Sequence, residues 1–343
     1  MDHGAQVAPN ETDQSASGSS TPGSDRFLSF AKLIHHQGSE SLTISWVSDL
    51  ELLHHFTTST YQSLPRAREP AMALVWQVDV PKLAFSHLFL LHQILATAAF
   101  HLSRLRPDMR QEYSMMASHH LDIAVQGMRV HLRDLNTDNC HAVFAASYFL
   151  PICGLGALAR PDAPAGPTLE TLVEVFILLK GAGSILHLTE IVRHGPLSPF
   201  FVPAGPYELK PGERCVLERF RLLAGQMARA GLESDVEETA SAEIRSLVHW
   251  IEQGSRRSSN TELRIALAWP TTISDAYLAL LRQRNAAALA VLAYYCSVLF
   301  LTEKDFWFTR GWAIGVLKDI SSSVTAPWYE AVQWSLDFIS SQE

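Results

Sequence analysis

Any chemistry on this chain has to come from its 15 histidines, its 4 cysteines and a few polar residues set into apolar stretches. The most organised set lies in FSHLFLLHQILATAAFHLSRLR at 85–106, where Ser86, Gln93, Thr97, His101 and Arg104 follow one another by helical steps and share one face. Leu88, Leu91, Leu95 and Leu102, with Phe85, Phe89, Ala96, Ala99 and Phe100, make the rest of that helix apolar. A helix apolar over so much of its circumference belongs inside a bundle. Each polar group left unpaired there costs about 1–3 kcal/mol, so the stripe must meet water, neighbouring side chains or a ligand.

The other chemical residues form no recognisable catalytic set. His54 and His55 are adjacent and therefore point to different faces, which makes them poor joint metal ligands. His120 and His131 sit near the inward face expected of a helix at 108–135. Glu237 and Glu238 read as a solvated polar connection. The GAGS at 181–184 has no preceding strand, no GK[ST] and no GxGxxG, so it reads as helix punctuation rather than a phosphate loop. No nucleophile elbow, HExxH, dinucleotide fingerprint or paired-carboxylate signature occurs. Cys140, Cys153, Cys215 and Cys296 are scattered without a CxxC pair, which excludes a zinc finger or binuclear zinc cluster within these residues. No signal peptide is read at the start, so free thiols in a reducing compartment are expected.

The elements that must position these residues are helical throughout. Residues 1–25 are polar and Gly/Ser-rich and read as a disordered tail, with order beginning near 27–34. A helix capped by Ser48 or Asp49 runs to Pro65, and 76–81 reads as an extended approach to the helix at 85–106. On the helix at 108–135, Met109, Tyr113, Met116, Ala117, Ala124 and Met128 face inward, and Thr137 and Asp138 then cap a helix over 139–155. Linkers fall near 159–168 and 195–212, the second stiffened by five prolines and carrying Phe200, Phe201 and Tyr207. Amphipathic helices at 214–230 and 242–253 precede four close-packed helices at 273–282, 286–301, 306–321 and 328–340. The expected fold is all-α, a multi-helix bundle over 26–343 that encloses a hydrophobic core or cavity.

Composition narrows the function. A hydrophobic share of 47% with 18% charged residues supports a large buried core. A net charge of −8, with no basic run longer than Arg256-Arg257, argues against direct binding of nucleic acid. The apolar run at 286–301 is 16 residues long, short of the roughly 20 needed to cross a bilayer. No membrane span, metal or cofactor is expected.

Several phrases, in order, carry a family resemblance: LELLHHFTTSTYQSL at 50–64, WQVDVPKLAFSHLFLLHQILATAAFHL at 76–102, YSMMASHH at 113–120 and TDNCHAVFAAS at 137–147. It continues with LAVLAYYCSVL at 289–299 and FWFTRGWAIGVL at 306–317, followed by Trp328 and Trp334. Over about 45–340 the chain resembles the C-terminal effector domain of fungal zinc-binuclear-cluster transcription factors of the sterol-uptake-control type. The resemblance implies a helical bundle around a hydrophobic cavity, which in sterol-responsive members binds ergosterol and controls nuclear activity. It also implies an N-terminal six-cysteine cluster and a basic linker, and neither is present in these 343 residues.

The reading that follows is a transcription regulator without its own DNA-binding cluster. It would sense a sterol-like or terpenoid-like molecule in the nucleus and/or cytoplasm and control a fungal sterol or secondary-metabolite gene set. The ligand-binding residues expected are Phe89, His92, Gln93, Phe100, His101, Phe144, Tyr148, Tyr294, Tyr295, Phe300, Trp307 and Trp312. They should converge from the helices at 85–106, 139–155, 286–301 and 306–320. A DNA-binding zinc-cluster factor and a second copy of the chain are the protein partners considered. The alternative is a cofactor-free cyclase or isomerase of a secondary-metabolite pathway, with His101, His120 and Glu112 as the first residues to test.

Overall fold

In a computed structural model, the structure describes residues 46–158, 166–183, 189–202, 208–254 and 261–342. The expected tail at 1–25, the start of order at 27–34 and most of the linker at 159–168 lie outside the described residues. Helix α1 (Trp46–Thr58) and a 3-10 turn (Thr60–Ser63) lead into a continuous helical run: α2 (Pro70–Leu74), a π-helical turn (Val75–Asp79) and α3 (Val80–Ala84). Then come α4 (Leu88–Leu105), α5 (Arg110–Arg133), α6 (Cys140–Leu158), α7 (Leu169–Gly183) and α8 (Thr189–Val192). After a 3-10 turn (Ser198–Phe201) follow α9 (Pro211–Met227), α10 (Ser234–Gly254), α11 (Thr261–Thr272), α12 (Asp275–Arg282) and α13 (Ala286–Thr302). The 3-10 turn Trp307–Thr309, α14 (Trp312–Ser321) and α15 (Tyr329–Ser340) complete the chain. There is no strand among the described residues, and the all-α expectation holds.

Two helices organise the packing. α4 lies against α5, α6 and α1, and is buried from Phe89 to Ser103 apart from Leu91 and His92. Gly127 of α5 lets the two helices close up, because a Cβ there would stand 2.7 Å from Phe89 Cβ. α13 is apolar all round and packs against α9, α10, α11, α14 and α15. Asn285 caps it: Oδ1 accepts from Ala287 N at 3.0 Å and Ala288 N at 3.2 Å. The two halves meet through α6, which touches α4, α7 and the Trp307 turn.

Several elements differ from expectation for identifiable reasons. Residues 76–81 are helical rather than extended. Pro81 lacks an N–H, and the π-helical turn before it loosens the backbone where its ring needs room, so the chain stays coiled. Burial of Val75, Trp76 and Val80 makes that conformation favourable. α1 starts at Trp46, ahead of the proposed cap. α6 is capped by Asn136, whose Oδ1 accepts from Asp138 N and Asn139 N, rather than by Thr137 or Asp138. Glu237 and Glu238 lie in the opening turns of α10, where negative charge suits the helix dipole, and not in a connection. α11 was not expected; its mixed composition and Pro270 masked a helix that buries Leu263, Ile265, Ala266 and Trp269. The segment at 306–321 is split by Gly311, at φ 82°, before α14 begins.

Among the described residues two helices, α4 and α6, are long and apolar enough to cross a membrane by length and composition, and α12 with α13 would qualify as a pair bent by 102°. In this fold 72% of α4's apolar window and 78% of α6's is buried inside the protein.

Candidate functional site

His92 and the stripe residues Gln93, Thr97 and His101 of α4 meet their neighbours in three nooks. At the first, His92 Nδ1 and His120 Nδ1 are 2.9 Å apart, bridging α4 and α5. His120 is 1% exposed, and its Nε2 stands 3.3 Å from Asp49 Oδ1 of α1 without hydrogen-bond alignment. An Nε2–H facing that carboxylate leaves His120 Nδ1 free to accept from His92 Nδ1–H, which is the tautomer pair with least conflict. Burial, with His92 and His119 close by, pushes the His120 pKa down to about 3.

The second nook lies between α4 and α6. Gln93 Nε2 is 3.2 Å from Cys153 Sγ, Thr97 Oγ1 is 3.3 Å from the same sulfur, and Thr97 Oγ1 also donates to Gln93 O at 2.8 Å. Gln93 and Thr97 are fully buried, and Gln93 Oε1 has no hydrogen-bond partner. Burial pushes the Cys153 thiol up to about 12, so it stays protonated.

In the third, His101 Nδ1 lies 3.1 Å from Thr60 Oγ1 and 3.2 Å from His55 Nε2, and Trp307 stacks on the ring at 5.3 Å. Trp307 is held by its own Nε1–H, which donates to Ser63 Oγ at 3.0 Å. It fits because Gly156 offers no Cβ, which would come within 2.8 Å of the indole. Burial, followed by the neighbouring His55, lowers the His101 pKa to about 4. Ser86 and Arg104 do not join these nooks: Ser86 precedes the helix at an exposed position and Arg104 is only half-buried. Phe85 and Leu88, expected inside, are exposed.

The aromatic candidates divide among separate neighbourhoods. Phe144 and Tyr148 join Trp76, Phe149 and Phe200, with Tyr148 and Phe200 centroids 4.6 Å apart. Phe200 is thus core cover from the proline-rich loop, clamped by Arg66, whose guanidinium donates to Pro199 O, Phe200 O and Val202 O. Phe89 lies against His131, and Phe100 near Gly156. Tyr295 packs with Trp269 and Phe176, its hydroxyl donating to Ala266 O at 2.7 Å. Tyr294 sits between Phe220 and Trp334, and Phe300 is half-buried at the core's edge. Trp312 Nε1 donates to Leu155 O at 3.0 Å, tying α14 to α6. Of the four helices expected to converge, α4 packs on α6 and α13 on α14, and the Trp307–Thr309 turn touches α4, α6 and α13.

Sequence reasoning missed Asp49 as a neighbour of His120, and Thr60 and Cys153 as partners of the stripe, because contacts across 40 or more residues leave no local periodicity. The buried Glu243 was also missed; it accepts from Ser274 N, Ser274 Oγ and Trp269 Nε1 and so fixes the start of α12. The four cysteines are free thiols, with Cys215 exposed and the others buried. Among the described residues no group of three or more His, Cys, Asp or Glu is placed to hold a metal ion. A surface groove of about 400 Å³ lies between α1 and the α2–α3 run, and none of the twelve candidate residues lines it.

These features define an all-α bundle with small polar nooks buried along its central helix. Residues 51–155, from α1 into α6, match the family described as the fungal specific transcription factor domain, and all three nooks rest on that segment except at Asp49, Gly156 and Trp307. Over that segment the chain is similar to the fungal specific transcription factor domain, and the relatives it resembles include zinc-cluster and sterol uptake control proteins. It is 26% identical over 259 residues to the Zn(2)-C6 fungal-type transcription factor afumD of Aspergillus fumigatus, covering 70% of this chain and 64% of that one. It is 32% identical over 138 residues to sterol uptake control protein 2 of Candida albicans, covering 40% of this chain and 18% of that protein. The protein of the same name from Saccharomyces cerevisiae is 25% identical over 276 residues, 77% of this chain and 29% of the relative. The chain thus spans less than two thirds of the length of each of these relatives.

Proposed function

We propose that this chain is an effector domain of a fungal transcription regulator that senses a sterol-like or terpenoid-like molecule. Its occupancy would be passed to gene expression through protein contact with a DNA-binding zinc-cluster factor, in the nucleus and/or cytoplasm. The observation that carries the ligand reading is Gln93 Oε1. It is a buried amide oxygen without a donor, in the seam between α4 and α6 and inside the segment that matches the family. Such an atom is costly to leave unpaired, and the hydroxyl of an otherwise apolar ligand would supply the missing donor. Likeness to sterol uptake control proteins supports the sterol class, and likeness to the Aspergillus factor supports a regulatory role.

The test is differential scanning fluorimetry of the full chain with ergosterol, and with its 3-O-methyl ether, which lacks the donor. Ergosterol should stabilise the protein progressively, by about 2.7 kcal/mol at a hundredfold excess over the dissociation constant. The ether, and the Gln93→Leu variant with ergosterol, should show much less. Equal stabilisation by alcohol and ether, or none by either, overturns the assignment of Gln93.

A further inference from the structure

The groove between α1 and the α2–α3 run has a chemistry unlike the rest of the surface. One wall is a single helical face of α1, with Leu50, Leu53 and His54 spaced by three and four residues. The other wall is built by Pro81, Lys82 and Phe85. Leu50 is 54% exposed and Phe85 62%, and Trp46, one turn before Leu50, is 72% exposed. Apolar side chains this large, gathered on one face, mark an interaction site rather than a scatter of surface residues.

Charge identifies the occupant. In a chain of net charge −8, the groove is lined by Lys82 and His54 and by no carboxylate. Among the described residues no acid pairs with either group. The nearest acids on α1 point elsewhere: Asp49 stands against His120, and Glu51 accepts from Tyr113 Oη and lies beside Arg106. Shape identifies its backbone. Both walls are helical, so their N–H and C=O groups are already used, and an extended peptide would find no main-chain partners there. A helix satisfies its own backbone and can lay its side-chain ridge between two others. The α1 face from Leu50 to Thr57 is about 10 Å long at 1.5 Å per residue, two turns of such a helix. The chain's own apolar stretch FLSFAKLI at 27–34 contains Lys32 and no acid, which is the wrong sign.

We propose that this groove docks an acidic amphipathic helix of a partner protein, its apolar face on Leu50, Pro81 and Phe85 and its carboxylates toward Lys82 and His54. This contact is independent of any ligand in the bundle.

The probe is a fluorescent helical peptide of about four turns with Leu or Phe on one face and Glu on the other, read by anisotropy against the full chain. Its counterpart with Lys in place of Glu is the control. The acidic peptide should bind at least about tenfold tighter than the basic one, and more weakly as salt rises. Leu50→Glu and Lys82→Glu, both at exposed positions, should each weaken it about tenfold while circular dichroism stays unchanged. Equal binding of the two peptides, no binding at all, or binding indifferent to both substitutions overturns the proposal. So does a concentration-dependent dimer that Leu50→Glu dissolves, which would make the occupant a second copy. An amine cross-link from Lys82 to Lys32 that blocks the peptide would instead assign the groove to the chain's own N-terminal segment, and overturns it too.

Discussion

His101 and His120 show how burial converts a common side chain into a pH-sensitive one. Both have pKa values below the ordinary 6.5, at about 4 and about 3, chiefly because the folded protein excludes water from the charged form. The unfolded chain therefore binds more protons than the folded one below pH 6.5. Stability contributed by the neutral rings is present above that pH and is lost as pH falls toward 4 and then 3. Each histidine can account for up to about 1.4 kcal/mol per pH unit in that window. Urea midpoints at pH 7, 6 and 5 should fall steadily, and the His101→Gln, His120→Gln double variant should flatten the slope. A wild-type midpoint constant from pH 7 to 5 would refute the burial argument. A second expectation at this scale concerns Trp312, whose indole N–H is the donor to the buried Leu155 carbonyl. Trp312→Phe should cost about 1–3 kcal/mol in chemical denaturation, because that acceptor loses its Trp donor in a dry site. A loss under a few tenths would show that the contact does not matter.

At the scale of elements, the bundle depends on places where a missing Cβ lets two surfaces meet. Gly156 admits the Trp307 ring to α6 and so fixes the turn that joins α4, α6 and α13. Gly156→Ala should favour the helix slightly by propensity, yet the 2.8 Å clash with the indole should dominate. The expected net effect is a destabilisation of about 1–3 kcal/mol with a shifted tryptophan emission. An alanine variant as stable as the parent would mean that Trp307 repacks freely. Much of this level was legible beforehand. The 3.6-residue rhythm in α4, α5 and α9 and the unbroken apolar run of α13 are local, and the starts and ends of most helices lay within a few residues of their caps. Most of the misses share one cause. The helical course of 76–81 and the whole of α11 depend on burial against distant elements, which local propensity does not register, whereas the cap at Asn136 is local and exposed and falls one residue before the proposed Thr137.

For the whole molecule, burial sorts the four cysteines. Cys140, Cys153 and Cys296 are enclosed and burial raises each thiol above its usual pKa, while Cys215 on α9 is exposed. A thiol reagent added to native protein at neutral pH should label Cys215 quickly and the other three only on unfolding. Rapid labelling of more than one site would show that the bundle opens far more readily than its packing indicates. The same global arrangement separates two features: polar nooks inside, along α4, and an apolar groove outside, along α1.

Amino-acid order by itself determined the class of fold, the free thiols, the central helix and the family the chain resembles. The first three follow from local spacing or composition, which needs no knowledge of neighbours, and the last is a resemblance carried by phrases of sequence in order. It also marked Gln93, Thr97 and His101 as polar groups that would need partners. Only the tertiary structure decided which partners those are. Cys153 lies 56 residues from Thr97 and Thr60 lies 41 from His101, and no periodicity links residues so far apart. The tertiary structure likewise dispersed the twelve aromatic and polar candidates among several neighbourhoods, and left Leu50 and Phe85 facing water. Helical spacing states which residues share a face, but which face is covered depends on what packs there.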